Sequence, residues 1–319
     1  MQSKLKFVSL VLLVNVFVYA CSKNDNAPIA PPPAPELFDT LGAGWQRIKI
    51  DTTIDFSDVF FVNSQTGFLC GINYLGKTAD GGLTWKRSIP DSLNQNFFNL
   101  FFADADNGWV TGDKFLLRTK DGGSSWQKVY KGVSFDVQFF DANNGYITTD
   151  TNGLFKTTDG GITLQKVNTA LSSATALFFL NANTGWVMDN GDVYKTENAG
   201  NSFTRLTGFI SNGYVIQFSD QLHGWLAGSG QIKRTIDGGS TFELIGIEVS
   251  TSGADIHFFD NNNGFMFYGA NVYSTSDGGK MQSRICAIHK SNLIELHFTD
   301  SDHGWAAGSR GYVYRYVKP

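Results

Sequence analysis

A ten-residue phrase of one pattern recurs seven times in this chain, and its spacing constrains the fold more than any single residue does. The starts of the copies are 41, 37, 40, 39, 40 and 40 residues apart. The copies are VFFVNSQTGF from Val59, LFFADADNGW from Leu100, VQFFDANNGY from Val137, LFFLNANTGW from Leu177, IQFSDQLHGW from Ile216, IHFFDNNNGF from Ile256 and LHFTDSDHGW from Leu296. A repeat of this length indicates stacked supersecondary units, because one unit cannot bury its apolar face alone.

Each repeat unit has the pattern of four short strands, here called A to D. The phrase opens with alternating apolar residues such as Val59 and Phe61 and then breaks at an Asn/Asp/Gly cluster, which is typical of a strand that enters a tight turn. Two further runs follow, such as WVTG from Trp109 and FLLRT from Phe115, and then a second turn, such as TKDGGSSW from Thr119. Four antiparallel strands form one propeller blade. The sequence therefore predicts an all-β, seven-bladed β-propeller over residues 40–319, with blades 1 to 7 in chain order.

The second turn is missing from the last repeat. Seven phrases are present but only six second turns, since no fourth strand follows residues 312–316. The segment GWQRIKI from Gly44 has the same pattern as WKRSI from Trp85. We predict that residues 44–50 supply the fourth strand of blade 7 and close the ring, which removes two open sheet edges.

The second turn carries the strongest resemblance to a known family. Its pattern TxDGGx[ST]W, as in TADGGLTW from Thr78, resembles the Asp-box or BNR repeat. Over residues 44–317 the unit is similar to the propellers of photosystem II assembly and stability factors. That resemblance implies a protein that docks onto a membrane complex or its unassembled subunits. Because sialidases and other glycosidases also carry the box, a carbohydrate-binding or glycoside-processing surface lipoprotein is the alternative.

The acidic residue of the box is predicted to be structural. Each box offers one carboxylate, whereas a calcium loop needs about six oxygen ligands. The residues at this position are Asp80, Asp121, Asp159, Asn198, Asp237 and Asp277. Three boxes depart from the pattern and are expected to be looser: Asn198-Ala199 in blade 4, Leu164 in blade 3, and Met281-Gln282 in blade 6.

The N-terminal sequence predicts the cellular location of the protein. Lys4 and Lys6 precede the apolar residues 7–19, a signal peptide too short to span a membrane. The sequence VYAC resembles a bacterial lipobox that ends in Cys21, so we expect residues 1–20 to be cleaved and Cys21 to carry acyl chains. Residues 21–39 hold five of the seven prolines and predict an extended tether. The expected location is the bacterial cell envelope, lipid-anchored and favouring the outer membrane, with its periplasmic or surface face left open.

Charge and motifs argue against nucleic acid binding and against catalysis. Without Lys4 and Lys6 the 25 basic residues become 23, against 29 acidic ones. A mildly acidic chain with no basic cluster does not favour nucleic acid. GxSxG, HExxH and phosphate-binding motifs are absent, and no arginine lies on a strand A, where a sialidase would need several. We expect a monomeric, non-enzymatic protein with a protein partner.

A basic residue precedes the box threonine in most blades. It is Lys77, Arg118, Lys156, Lys195 and Arg234, with Arg315 in the last strand C and Ser274 as the exception. One interpretation is a ring of cations that docks an acidic partner. The other, favoured by the repetition, is that each cation reaches an Asp or a carbonyl on its own or the next blade.

The residue before each phrase suggests a ligand site at the channel mouth. Four of the seven residues at this position are acids, namely Asp58, Asp136, Asp255 and Glu295. Period-two alternation puts His257 on the same face as Asp255, and His297 on the same face as Glu295. Such a set predicts either a divalent metal site with His257 and His297 as ligands or a negative ring for a cationic group. The alternative is that these residues merely line a water-filled channel; no other cofactor is expected.

Overall fold

The computed structural model describes residues 38–42, 44–50, 54–89, 93–150, 153–167, 171–210, 213–228, 231–247, 254–268, 271–287 and 293–319. The signal peptide, Cys21 and residues 22–37 of the tether lie outside this range. Every regular element in the described part of the chain is a β-strand. Blades 1 to 3 consist of β3 (Phe56–Phe61), β4 (Gly67–Gly71), β5 (Tyr74–Thr78), β6 (Lys86–Arg87), β7 (Phe97–Phe102), β8 (Gly108–Gly112), β9 (Phe115–Thr119), β10 (Gln127–Lys131), β11 (Ser134–Phe139), β12 (Gly145–Thr149), β13 (Gly153–Thr157) and β14 (Gln165–Lys166).

Blades 4 to 6 follow the same order. They consist of β15 (Ala174–Phe179), β16 (Gly185–Asp189), β17 (Asp192–Thr196), β18 (Thr204–Phe209), β19 (Gly213–Phe218), β20 (Gly224–Gly228), β21 (Gln231–Thr235), β22 (Glu243–Ile247), β23 (Ala254–Phe258), β24 (Gly264–Tyr268), β25 (Asn271–Thr275) and β26 (Ser283–Ala287). Blade 7 combines β27 (Leu293–Asp300), β28 (His303–Gly308) and β29 (Tyr312–Val317) with β1 (Phe38–Gly42) and β2 (Trp45–Lys49) from the other end of the described chain.

The predicted seven-bladed architecture and its closure are confirmed. Six sheets contain four consecutive antiparallel strands each, and the seventh has the order β1-β2-β29-β28-β27. β2 pairs with β29, with Trp45 opposite Tyr316 and Lys49 opposite Tyr312. The two ends of the propeller therefore meet within one sheet, and no blade is left without its fourth strand.

Strand β1 is an addition that the sequence analysis did not predict. It pairs antiparallel with β2, with Phe38 opposite Ile48 and Asp39 opposite Arg47, so the propeller begins two residues earlier than expected. The chain reverses at Gly44, whose φ of 84° favours glycine. β1 covers the outer edge of β2, whose backbone groups would otherwise lack partners.

The apolar core lies between blades rather than within them. At each interface the second Phe or the equivalent ring of strand A stacks on the aromatic that opens strand B of the preceding blade. Phe139 lies 3.5 Å from Trp109 between ring centroids, nearly parallel to it. The other six pairs are Phe61 on Trp305, Phe102 on Phe68, Phe179 on Tyr146, Phe218 on Trp186, Phe258 on Trp225 and Phe298 on Phe265. Each phrase thus supplies two stacked rings, one at the interface with the preceding blade and one at the interface with the following blade.

The glycine of each phrase has a steric cause. A Cβ atom at Gly145 would come within 2.6 Å of the Phe139 ring. A side chain at this position would displace the stacked pair, which explains the invariant Gly before the aromatic. Among the described residues, no helix is long and apolar enough to cross a membrane.

Candidate functional site

The Asp-box carboxylates are engaged inside their own turns. In blade 1, Thr78 Oγ1 donates to Asp80 Oδ1 at 2.7 Å, and Thr84 N donates to the same oxygen at 2.9 Å. In blade 2, bonds from the Ser125 hydroxyl and backbone N–H, with another from Thr119, lower the pKa of Asp121 to about 2. These hydrogen bonds brace the strand C to strand D turn.

Two of the boxes that depart from the pattern keep their bonds. Asn198 Oδ1 accepts from Thr196 Oγ1 at 3.1 Å and from Ser202 N at 2.9 Å. In blade 6 the Gln282 amide donates to Gly279 O at 2.9 Å, as the Trp85 indole does to Gly82 O in blade 1. The looser packing expected for blades 4 and 6 is not reflected in these hydrogen bonds.

The basic residues before the box join neighbouring blades. Arg118 donates to the Asp159 and Ala142 carbonyl oxygens of blade 3, at 3.2 and 2.5 Å. Lys77 donates to Gly122 O of blade 2 at 2.6 Å, and Arg234 to Asp277 O of blade 6 at 3.0 Å. For these three residues the structure shows the second interpretation, in which each cation reaches a carbonyl of the next blade.

Three of the four candidate acids at the channel mouth also bond the next blade. Their carboxyl oxygens accept from the backbone N–H of the residue that opens the next phrase in space: Leu100 to Asp58 at 2.5 Å, Leu177 to Asp136 at 2.9 Å and Leu296 to Asp255 at 2.5 Å. These acids lie on the sheet face that is packed against the following blade. Their first role in this fold is to join blades.

The second residue of the phrase makes a similar contact on the same face. The Gln138 side chain accepts from Phe179 N at 2.7 Å and donates to Phe179 O at 2.8 Å. His297 Nε2 contacts Phe61 O at 2.9 Å across the closure between blades 7 and 1. Because strand residues alternate, the residue before the phrase and the second residue of the phrase lie on the same face, as predicted. That face meets the neighbouring blade.

Replacement of Gln138 tests this contact. Gln138→Ala removes both bonds to Phe179 and leaves its backbone groups unpaired, so we expect the free energy of unfolding to fall by about 2–3 kcal/mol. Urea unfolding measures this value. The matched control is Gln127→Ala at an exposed position of strand β10, which should change it by less than about 0.5 kcal/mol. Equal effects of the two substitutions would contradict the role of the Gln138 side chain in joining blades 3 and 4.

The two candidate metal-binding histidines lie side by side. The ring centroids of His257 and His297 are 5.7 Å apart. Burial lowers the pKa of His257 to about 3, with a smaller effect of His297, and burial lowers that of His297 to about 4. Both rings are neutral at pH 7, but His297 Nε2 faces a carbonyl oxygen. Among the described residues no group of three or more His, Cys, Asp or Glu is positioned to hold a metal ion. The predicted set of two histidines and two carboxylates does not form one ligand shell.

The carboxyl groups near the closure between blades 7 and 1 have raised pKa values. Burial, followed by the charges of Asp255 and Asp58, raises the pKa of Glu295 well above its usual range. Burial raises the pKa of Asp255 to about 7 and that of Asp58 to about 8. Asp255 and Glu295 are hydrogen-bonded to each other, and two carboxyl groups so placed share a proton. At neutral pH this part of the channel carries less negative charge than the sequence suggests.

A cavity of about 340 Å³ opens where the inner strands begin. Asp136 and Glu295 line it, together with three aromatics at the preceding strand position, Phe98, Phe135 and Tyr214. The Phe98 and Phe135 rings stack with centroids 6.2 Å apart. These three aromatics were not predicted as site residues, because they lie two residues before the phrase and only the residue directly before it was assigned to the channel mouth. The signal was present one residue further upstream.

Comparison with known proteins gives a family resemblance over part of the chain. Residues 39–134 match the family described as photosynthesis system II assembly factor YCF48. The chain is 36% identical over 80 residues to the photosystem II assembly lipoprotein Ycf48 of Prochlorococcus marinus (strain NATL2A). That match spans 25% of this chain and only 20% of the length of that protein. The chain therefore resembles photosystem II assembly factors in sequence as well as in repeat pattern.

Solved structures show the same fold. A structure of YCF48 bound to D1 peptide matches with a TM-score of 0.72 and 22% identity, over 86% of this chain and 97% of that one. The GH74 xyloglucanase of Xanthomonas campestris matches with a TM-score of 0.65 and 13% identity, over 84% of this chain and 53% of the enzyme. At these identities the structural matches establish the propeller and nothing about activity.

Proposed function

We propose that this protein is an exported, membrane-anchored propeller that binds another protein as an assembly scaffold, in the manner of the YCF48 factors. The observation that carries the proposal is the match of residues 39–134 to that family. The YCF48 structure that matches over 97% of its length holds a peptide, which supports a protein as the partner class. A membrane complex or one of its unassembled subunits is the partner proposed for this chain.

The described side chains favour binding over catalysis. The acids Asp58 and Asp136 and the histidine His297 are each bonded to the next blade, and Arg118 and Arg234 are bonded to box carbonyls. A glycosidase needs two carboxyl groups facing its substrate, and a sialidase needs several converging arginines. Tyr214 is the single aromatic among the exposed large hydrophobic residues of the described chain. Phe98 and Phe135 also line the cavity, but their rings stack on each other and are half-buried, so we prefer the protein-binding function to the carbohydrate alternative.

The proposed location is the bacterial envelope, with Cys21 as the lipid anchor. The relative from Prochlorococcus marinus is named a lipoprotein, which supports this proposal. We expect Cys21→Ala to leave an uncleaved or soluble exported protein, because two acyl chains hold a protein at a membrane and their loss releases it. Partitioning into a detergent phase measures the difference. A Cys21→Ala protein that partitions like the wild type would contradict the lipoprotein assignment.

The protein-binding function is tested by crosslinking in membranes. The tagged full chain is crosslinked in its native membrane and purified. The control joins residues 1–37 to an unrelated soluble domain, so that anchor and tether are the same and only the propeller differs. We expect a specific membrane protein to be recovered with the propeller and then to bind the purified full chain directly. Equal recovery with the control would overturn the proposed function.

A further inference from the structure

The cavity at the start of the inner strands is shared by nearly the whole ring. Its lining residues come from β3, β7, β11, β15, β19 and β27, which are the strands A of six of the seven blades. Because these strands surround the channel, the cavity lies at one end of the propeller axis, and it is here called the axial cavity. Its volume of about 340 Å³ is typical of a site for a small ligand or a single side chain.

The wall of the axial cavity contains carboxyl groups and no basic side chain. Asp136 and Glu295 line it, whereas none of the described lysine, arginine or histidine residues does. Burial, and after it the charges of Asp255, Asp58 and Asp136, raises the pKa of Glu295, so acids of blades 1, 3 and 6 act on the acid of blade 7. A cation in the cavity would reverse this effect, since an opposite charge favours the ionised carboxylate. Charge complementarity therefore favours a positively charged occupant.

Asn99 adds a hydrogen-bond acceptor that lacks a donor. It lines the axial cavity, and its Oδ1 atom is buried without a hydrogen-bond partner. Such an atom is rare in native proteins, because leaving a buried polar atom unpaired costs the free energy of a hydrogen bond. This observation is independent of the charges. It favours an occupant that donates N–H groups over a cation that has none.

Aromatic rings form the apolar part of the wall. Phe98, Phe135 and Tyr214 line the axial cavity, and the first two stack with their centroids 6.2 Å apart. The Tyr214 hydroxyl oxygen accepts from Ala254 N at 2.7 Å, which holds this partly exposed ring in place. The faces of such rings attract a cation, and their apolar surface covers an alkyl chain. The wall thus combines acceptors for an ammonium group with a surface for the chain that carries it.

We propose that the axial cavity binds a primary ammonium group carried on an alkyl chain. Asp136, Glu295 and Asn99 accept its N–H bonds, directly or through water, and the aromatic rings cover the chain. A divalent metal ion is a poorer occupant, because among the described residues no group of three or more His, Cys, Asp or Glu is placed to hold one. The ammonium group belongs either to a lysine of the protein partner or to a free alkylamine. The site itself does not depend on the proposed protein-binding function.

The probe is n-butylamine, which has the ammonium group and the four-carbon chain of a lysine side chain. Isothermal titration of the full chain in detergent at pH 8 measures its affinity, and the amine is charged at this pH. We expect one site with a dissociation constant of about 1 mM, in keeping with the size of the ligand. n-Butanol lacks the charge and tetramethylammonium lacks the N–H donors, so each should bind at least about tenfold more weakly. Equal binding of either compound, or no saturable binding of n-butylamine, would overturn the proposal.

Two substitutions in the wall test the residues. Glu295→Gln and Asp136→Asn each remove an ionisable group and should weaken n-butylamine binding by about tenfold or more. Asp136→Asn keeps the oxygen that accepts from Leu177 N, so the bond to blade 4 is preserved. The matched control is Asp106→Asn, which removes one negative charge from an exposed turn of blade 2 and should bind like the wild type. Wild-type affinity in both cavity variants would contradict the assigned acceptors.

Crosslinking in membranes separates the two sources of the ammonium group. If both cavity variants lose n-butylamine binding and also the crosslinked membrane partner, the ligand is a lysine of that partner, which supports this site and the proposed function together. If they lose n-butylamine binding but retain the partner, the ligand is a free amine and the partner binds elsewhere on the propeller. If the wild type binds n-butylamine but recovers no specific partner, the proposed function fails while this site stands.

Discussion

Removal of residues 40–50 is expected to lower the free energy of unfolding by at least about 5 kcal/mol, or to prevent folding. This segment contains β2, the fourth strand of blade 7, with Trp45 and Ile48 almost entirely buried. Loss of a buried tryptophan alone costs about 3–5 kcal/mol. The deletion also exposes the edge of β29, which opens the ring and favours aggregation. Urea unfolding followed by circular dichroism measures the change.

The matched control removes a segment of similar length from the tether. Deletion of residues 24–36 should change the free energy of unfolding by less than about 0.5 kcal/mol, because the propeller strands are left intact. The substitution Trp45→Phe separates the indole from the strand, since it keeps an aromatic ring at this position but removes the indole N–H. If both deletions lowered stability equally, the closure by β2 would not be what holds the ring together.

Replacement of Asp58 by Asn is expected to stabilise the protein at pH 8 and to have little effect at pH 4. Burial raises the pKa of Asp58 to about 8, from 3.8 for an exposed carboxyl group. Asn keeps the oxygen that accepts from Leu100 N and cannot ionise. The gain at pH 8 should be about 3 kcal/mol. This is roughly half of what the full pKa shift would give at about 1.4 kcal/mol per unit, because neighbouring carboxyl groups titrate together with Asp58 and share the effect.

The direction in which stability changes with pH follows from the proton bound by Asp58. Between pH 4 and pH 8 the folded state retains the Asp58 proton while the unfolded state has lost it, so the wild type becomes less stable as pH rises and levels off above pH 8. The difference between wild type and variant isolates this effect, because His257 and His297 are present in both. Asp136→Asn is the matched comparison. Burial raises the pKa of Asp136 only to about 6, so its benefit should be smaller and should level off near pH 6.

Thermal unfolding at half-unit pH steps provides the measurement. Parallel curves for the wild type and Asp58→Asn over pH 4 to 8 would show that Asp58 is ionised in the folded protein. The carboxyl group would then need a counter-charge in the channel, and a cation there would become the simplest explanation.

The number of blades and the closing strand were predictable from the sequence because local signals encode them. Alternating residues in the phrase, the glycine turns and the similarity of GWQRIKI to WKRSI each report a strand or a turn a few residues long. The six boxes in seven repeats left one fourth strand to be supplied from elsewhere. Strand β1 was not predicted, since its pairing with β2 depends on an exposed sheet edge.

The sequence by itself determined which residues share a face, but only the tertiary structure decided what that face meets. Alternation correctly grouped Asp255 with His257 and Glu295 with His297. In a propeller both faces of a blade pack against neighbours, so the same alternation sends Asp255 to Leu296 N of the next blade. The unpaired Trp45 indole is likewise invisible in the sequence. A tryptophan at the start of a strand is ordinary, and the burial of its indole N–H without a partner appears only when the ring is closed around it.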